Sequence, residues 1–211
     1  MKGLLLKDLL GLKRYLRTFI VLLLFYIVFA FSTDSAGFLI GMSALLAAML
    51  PMAAFAYDET AKWDNFGLTL PVRRQDVVRS RYLLALLFLL LGMVLSVILA
   101  MALDLVKGRA IQLETLTACY IAIGFTFLID AVMLPLFYRF GPEKARFMMI
   151  GVMLVVGLAS FLAARMGIVS WMDTLGEEAT TQALYFLPLV GLLIYIGSYF
   201  VSCGIYTKKE F

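Results

Sequence analysis

Six long apolar runs, separated by short polar segments, dominate the chain. Each run is continuous rather than alternating in polarity, and about 20 apolar residues suffice for a helix to cross a bilayer. Strands of a membrane barrel would be about half as long and would alternate. The pattern therefore predicts an all-α membrane protein, with residues 1–211 forming one transmembrane domain. The six predicted spans lie at about residues 15–31, 36–57, 82–103, 115–138, 147–169 and 183–206.

Composition supports the membrane assignment and argues against catalysis. Hydrophobic residues make up 64% of the chain and charged residues only 15%, which is more apolar surface than a soluble core of this size can hide. The chain has no histidine, the commonest general base and metal ligand. We therefore predict no catalytic residue, no bound cofactor and no metal site. Cys119 and Cys203 lie in apolar runs and are expected to be unbonded thiols.

The distribution of cationic residues predicts the orientation. With the N-terminus in the cytoplasm, 15 of the 18 lysines and arginines fall on the inner side and only Lys107, Arg109 and Arg165 on the outer side. Both termini are then cytoplasmic in a multi-pass protein of a bacterial plasma membrane. No cleavable signal peptide is apparent, so the first span is expected to stay. The basic residues form no contiguous face for nucleic acid.

The segment before the first span has the pattern of an amphipathic helix. Leucines recur at helical spacing on one side, at Leu5, Leu9, Leu12 and Leu16. Cationic residues occupy the other side, at Lys7, Arg14 and Arg17. The pattern predicts a helix lying in the inner membrane interface, either as a docking surface for a cytoplasmic partner or only as a basic anchor that sets topology.

The longest polar segment, residues 58–81, joins the second and third spans. Residues Glu59 to Phe66 can form a short helix that presents Trp63 and Phe66 and ends at Gly67. Pro71 suits the first turn of a helix that continues into the third span. Exposed aromatics on a short helix would fit a groove on another protein, and the alternative is an interfacial element anchored by Trp63.

Two further features stand out. Asp130 is a carboxylate inside the fourth predicted span, where an ionisable group is costly. It either makes a polar contact to a neighbouring helix or lines a substrate path open to the cytoplasm. The sequence RFGPEKAR, from Arg139 to Arg146, is predicted to be a tight turn punctuated by Gly141 and Pro142.

The long loop and the span layout resemble the permease subunits of ATP-binding-cassette exporters. More narrowly, they are similar to small six-span type-two permeases that include the phenol-soluble modulin exporter and bacteriocin-immunity permeases. The matching loop residues are Glu59, Trp63, Leu70, Pro71, Val72, Arg74, Val77, Val78 and Tyr82. The stretch RFGPEKAR and the terminal IYTKKEF, from Ile205 to Phe211, also agree, so that the resemblance covers nearly the whole chain.

The resemblance implies a division of labour between subunits. The permease would dimerise with a second copy or a paralogue, and cytoplasmic ATPase subunits holding ATP and Mg²⁺ would bind below. The loop between spans two and three would be the coupling helix, contacting the ATPase through Asp58, Glu59, Lys62, Trp63, Asp64, Asn65 and Phe66. Leu70, Pro71 and Arg74 would form the entry to the third span.

The implied function is export of amphipathic or hydrophobic molecules, plausibly peptides, powered by another chain. One independent observation agrees, since the sequence contains no G-x-x-x-x-G-K-[ST] phosphate loop. Two alternatives stay open: an immunity or scaffold protein that binds without transport, and an intramembrane enzyme. The enzyme is disfavoured because an aspartyl dyad needs two buried carboxylates and only Asp130 lies within a span.

Overall fold

The computed structural model describes residues 2–33, 36–63, 73–108, 113–165 and 177–208, and these are helical apart from short turns. The helices are α1 (Lys2–Thr33), α2 (Ala36–Thr60), α3 (Arg74–Val106), α4 (Leu113–Arg165) and α5 (Glu177–Lys208). No strand occurs in these described ranges. The prediction of an all-α protein is therefore confirmed.

Four helical segments are long and apolar enough to cross a membrane: Gly37–Thr60, Arg74–Val106, Thr115–Ala145 and Leu184–Lys208. They correspond to the predicted spans two, three, four and six. In α1, the parts Gly3–Lys13 and Arg17–Ser32 meet at a bend of 62°, and together they provide a fifth candidate span. The bend separates the predicted interfacial segment from the first predicted span. The other predicted span, 147–169, overlaps α4 up to Arg165, so the count of six stays a prediction.

Helix α4 is broken at the predicted turn. Gly141 has φ 77° and ψ 165°, a conformation that only glycine adopts without strain, and Pro142 follows it. Proline lacks the N–H that a continuing helix would need, so the two residues together end one helix and start another. The prediction of a break at Gly141 and Pro142 is confirmed.

Small residues allow the helices to pack closely. A Cβ added to Gly92 of α3 would lie 2.6 Å from the Cβ of Ala47 in α2. A Cβ added to Gly191 of α5 would lie 2.8 Å from the carbonyl oxygen of Gly124 in α4. Backbones in a membrane approach this closely only through small residues, because helix association there depends on packing rather than on exclusion of water.

The start of the long loop differs from its prediction. Helix α2 continues past the predicted end at residue 57 to Thr60, so Glu59 belongs to its last turn rather than to a new helix. A turn follows at Ala61 and Lys62, and Lys62 has a φ of 48°. This turn separates Glu59 from the rest of the predicted short helix, which stays a prediction. Residues 64–72, which include the predicted Asp64, Asn65, Phe66, Leu70 and Pro71, lie outside the described residues.

Candidate functional site

Five chain segments meet at one end of the helical bundle, which we call the basic end. They are the start of α1, the end of α2, the start of α3, the break in α4 and the end of α5, and the contacts below join them. At the opposite end, Lys107 donates a hydrogen bond to the carbonyl oxygen of Phe31, 3.1 Å away, so that α3 ends beside the end of α1. The described parts of the segments that carried the sequence resemblance lie at the basic end.

Four charged side chains from three helices form an ion cluster there. Lys7 Nζ lies 3.1 Å from Asp8 Oδ1 and 2.8 Å from Asp58 Oδ1. Arg81 is ion-paired with Asp58 through Nη2, and its Nη1 lies 3.3 Å from Asp8 Oδ1. Two cations and two carboxylates leave the cluster neutral. The cluster therefore ties α1, α2 and α3 together in pairs of opposite charge.

The cluster is largely withdrawn from solvent at its centre. The side chains of Arg81 and Asp8 are only 4% and 3% exposed, whereas Lys7 and Asp58 are 23% and 15% exposed. Burial raises the pKa of Asp8 above its usual value, although Arg81 and Lys7 lower it. A buried charge whose partner is lost is strongly unfavourable, so the four groups depend on one another.

Trp63 joins the cluster from the turn after α2. The ammonium of Lys7 lies 3.8 Å from the centroid of the Trp63 ring, which is the geometry of a cation–π interaction. The indole is half-buried, while Glu59 and Lys62 beside it are exposed. The amphipathic part of α1 thus contacts the loop directly, through the same lysine that binds Asp58.

A cavity of about 90 Å³ lies between the ion cluster and the break in α4. Its walls include Glu59, Arg81, Tyr138, Gly141 and Tyr206, so four of the five segments border it. The hydroxyl of Tyr138 is buried and has no hydrogen-bond partner within the described parts of the chain. The Nη1 of Arg81 is paired with Asp8 by charge but makes no hydrogen bond to a described residue. A polar space of this size can hold ordered water that would satisfy such groups.

Two contacts complete the basic end. The guanidinium of Arg74, the first residue of α3, donates hydrogen bonds to the carbonyl oxygens of Thr207 at 2.8 Å and Tyr206 at 3.5 Å. Cationic side chains stabilise the unpaired carbonyls at a helix C-terminus in this way. The carboxylate of Glu59 lies against Gly141, since a Cβ there would be 3.3 Å from Glu59 Oε1.

The structure divides the predicted ATPase-contacting residues into two groups. Asp58 is turned inward and pairs with Lys7 and Arg81, so it is not a free surface carboxylate. Glu59 and Lys62 remain exposed, and Trp63 is half-buried. Arg74 is the first residue of α3, and its side chain is bound to the end of α5.

Asp130 lies away from this cluster, in the interior of α4. It is only 2% exposed, and the residue after it, Ala131, accepts a hydrogen bond through its carbonyl oxygen from the Ser198 hydroxyl of α5, 2.6 Å away. Nearby, the Tyr82 hydroxyl lies 2.8 Å from the Ser198 hydroxyl and 2.7 Å from that of Ser202. The burial of Asp130 beside these packed helices favours its first interpretation, a polar group packed against neighbouring helices.

Sequence reasoning missed the partners inside the cluster. The sequence places Lys7 on the cationic face of the amphipathic helix and Arg81 among the inner-side cations, and it assigns no role to Asp8. One signal was available: Asp8 is the single acidic residue of an otherwise basic segment. A lone carboxylate in a basic segment suggests that it forms an ion pair with a residue elsewhere in the chain. For Tyr138 the sequence offers no comparable signal, since it looks like any aromatic residue at the end of a span.

Among the described residues, no group of three or more histidine, cysteine, aspartate or glutamate side chains is placed to hold a metal ion. Cys119 and Cys203 are both unbonded. A sequence model of a family described as "ABC-2 family transporter protein" matches residues 3–207 of the chain. No curated protein and no solved structure matches it.

Proposed function

The chain belongs to the ABC-2 family of transporter proteins, and from this we propose that it is the membrane-spanning permease subunit of an ATP-binding-cassette exporter. Family membership implies a separate ATPase partner. We place the basic end in the cytoplasm, both termini included, in a bacterial plasma membrane. Binding and hydrolysis of ATP with Mg²⁺ would take place on the partner, and this chain would carry no cofactor.

The observation that carries the proposal is the arrangement around the end of α2. Glu59 and Lys62 form an exposed surface there, and the residue that precedes them, Asp58, is held by Lys7 of α1 and Arg81 of α3. A partner that presses on the exposed residues would therefore act on three helices at once. A loop that served only to connect two spans would need no such attachment.

Force from the partner would spread through contacts of different kinds. Asp58 and Arg81 link α2 to α3 by charge, and the Lys7–Trp63 contact links the turn to α1. Glu59 rests on the break in α4 at Gly141. Deeper in the bundle, α2 and α3 pack closely where Gly92 faces the Ala47 side chain, so they are expected to move as a pair.

The cargo we propose is an amphipathic or hydrophobic molecule such as a peptide. The narrower resemblance to small exporters of amphipathic peptides supports this class. Large apolar side chains are exposed along the described helices, for instance Phe25, Val94 and Leu193, and suit lipid or a second permease copy as neighbours. Alternating access would then open a cavity shared by two copies first to the inside and then to the outside.

Transport by inverted membrane vesicles tests this function. Vesicles containing the chain and the ATPase that co-purifies with it should accumulate a dye-labelled amphipathic helical peptide when ATP is added. Vesicles with the ATPase but without the chain, or with ATP replaced by a non-hydrolysable analogue, should accumulate none. An ATPase that binds the chain stably while no peptide or hydrophobic dye is taken up would favour the scaffold or immunity alternative instead.

A further inference from the structure

An open groove of about 300 Å³ runs between α3 and α5, starting at the basic end and entering the apolar zone. Leu83, Leu86 and Ile196 supply aliphatic walls, and Tyr195 and Tyr199 supply aromatic ones. From Arg79 to Leu86 the groove follows α3 for roughly 10 Å, at about 1.5 Å per residue. This is the shape of a channel for an extended hydrocarbon chain.

A single cation stands at the polar mouth of the groove. Arg79 lines it, its side chain is exposed, and it forms no ion pair with any described residue. Arg73 and Lys208, both exposed, lie toward the same end of the bundle, and Asp76 is the one acid one turn before Arg79. Of these charged residues, Arg79 is the one that lines the groove. The Tyr199 ring lines the same groove.

A second groove shows why the charge matters. It measures about 400 Å³, lies between α2 and α4, and is lined by Phe38, Met42, Leu45, Phe125 and Ile129 among others. No charged residue lines it. Lipid tails can lie in either groove, but only the groove at Arg79 offers a partner for a phosphate.

We propose that the α3–α5 groove is a binding site for one anionic phospholipid, with the phosphate on Arg79 and an acyl chain along Leu83, Leu86 and Ile196. Basic pockets between transmembrane helices on the inner side of a membrane favour anionic headgroups. A second copy of the chain fits less well, because a symmetric contact centred on this groove would bring the Arg79 residues of both copies together. The site is separate from the surface proposed for the ATPase.

Native mass spectrometry of the purified full-length chain tests the site. The chain is delipidated in detergent and then offered equimolar phosphatidylglycerol and phosphatidylcholine with identical acyl chains. The wild type should retain one phosphatidylglycerol in at least five-fold preference. Arg79→Gln should abolish the preference, and Arg79→Lys should keep part of it. Leu86→Trp should fill the groove and reduce retention of both lipids.

Two matched variants serve as controls. Arg139→Gln removes an exposed cation from another helix at the same end, and Ala122→Trp fills the uncharged groove. Both should leave the phosphatidylglycerol preference unchanged, and the unfolding midpoint should confirm that each variant is folded. The proposal is overturned if Arg79→Gln binds phosphatidylglycerol like the wild type. It is also overturned if Leu86→Trp changes only the fraction of dimer and not the bound lipid.

Discussion

Arg81, near the start of α3, is hydrogen-bonded to the carboxylate of Asp58 in the last turn of α2. These are the first and last residues of the polar segment 58–81, so an ion pair holds the two ends of that segment together. Asp8 of α1 lies on the other side of the same guanidinium. One buried arginine thus fixes the relative positions of three helices at the end where we place the ATPase.

Loss of Arg81 is expected to destabilise the chain strongly. In Arg81→Gln, Asp8 and Asp58 remain partly buried with only Lys7 to balance them, and breaking a buried ion pair in this way costs about 3–5 kcal/mol. Unfolding of the purified chain in detergent, followed by circular dichroism, measures the change. Lys144→Gln removes an exposed cation and should shift stability by no more than about 0.5 kcal/mol. Equal effects of the two variants would contradict the buried cluster.

The raised pKa of Asp8 predicts a specific pH dependence. Burial disfavours the ionised form in the folded chain, so Asp8 holds its proton to a higher pH when folded than when unfolded. Its contribution to stability is then greatest at low pH and is lost as the pH rises from about 4 through the raised folded pKa. The free energy of unfolding of the wild type should fall relative to that of Asp8→Asn as the pH rises through this range. Above the raised pKa, the difference between the two should stay constant. A relative gain in stability with rising pH would show that the ion pairs dominate instead.

Gly141 should tolerate no side chain. Gly141→Ala would place a Cβ at a φ of 77° and 3.3 Å from the Glu59 carboxylate, and backbone strain of this kind costs about 1–3 kcal/mol. Gly151→Ala is the matched control in the same helix, since a Cβ there meets nothing within 4 Å. Thermal unfolding of the two variants compares them. Similar midpoints would mean that the break in α4 does not require glycine.

The close approach of α2 and α3 predicts a compensating pair of substitutions. Gly92→Ala alone would place two Cβ atoms 2.6 Å apart and should cost about 1–3 kcal/mol through overpacking. Adding Ala47→Gly removes the clash and should restore most of that loss. A double-mutant cycle on unfolding free energies measures the coupling, and purely additive effects would contradict the contact.

Local features of the fold could be predicted from the sequence. The helices of membrane length were predictable from the apolar runs. A span must be long enough to cross the lipid, and its backbone must satisfy its own hydrogen bonds. The break in α4 was predictable because Gly141 and Pro142 act on their own backbone. The end of α2 was not: no local signal distinguishes a helix that stops at Tyr57 from one that continues to Thr60.

The ion cluster could not be predicted, because it depends on tertiary contact. Asp8 and Arg81 lie far apart in the sequence. From the sequence alone, their charges are equally compatible with surface positions that set the membrane orientation. Only the packing of α1 against the ends of α2 and α3 buries them. The same packing turns Asp58 inward. Of the residues predicted to contact the ATPase, Asp58 is therefore internal, whereas Glu59 and Lys62 are exposed.

The central claim is that the exposed residues at the end of α2 receive an ATPase. Co-purification measures it most directly: the tagged chain is extracted from its native membranes in mild detergent, and the bound ATPase is quantified by mass spectrometry. The wild type should retain an ATPase that carries a phosphate-binding loop. The double variant Glu59→Gln/Lys62→Gln should lose it at least ten-fold while keeping its unfolding midpoint within a few degrees, and Lys144→Gln should retain it. If the double variant keeps the ATPase and its hydrolysis rate, the surface at the end of α2 is not the coupling site.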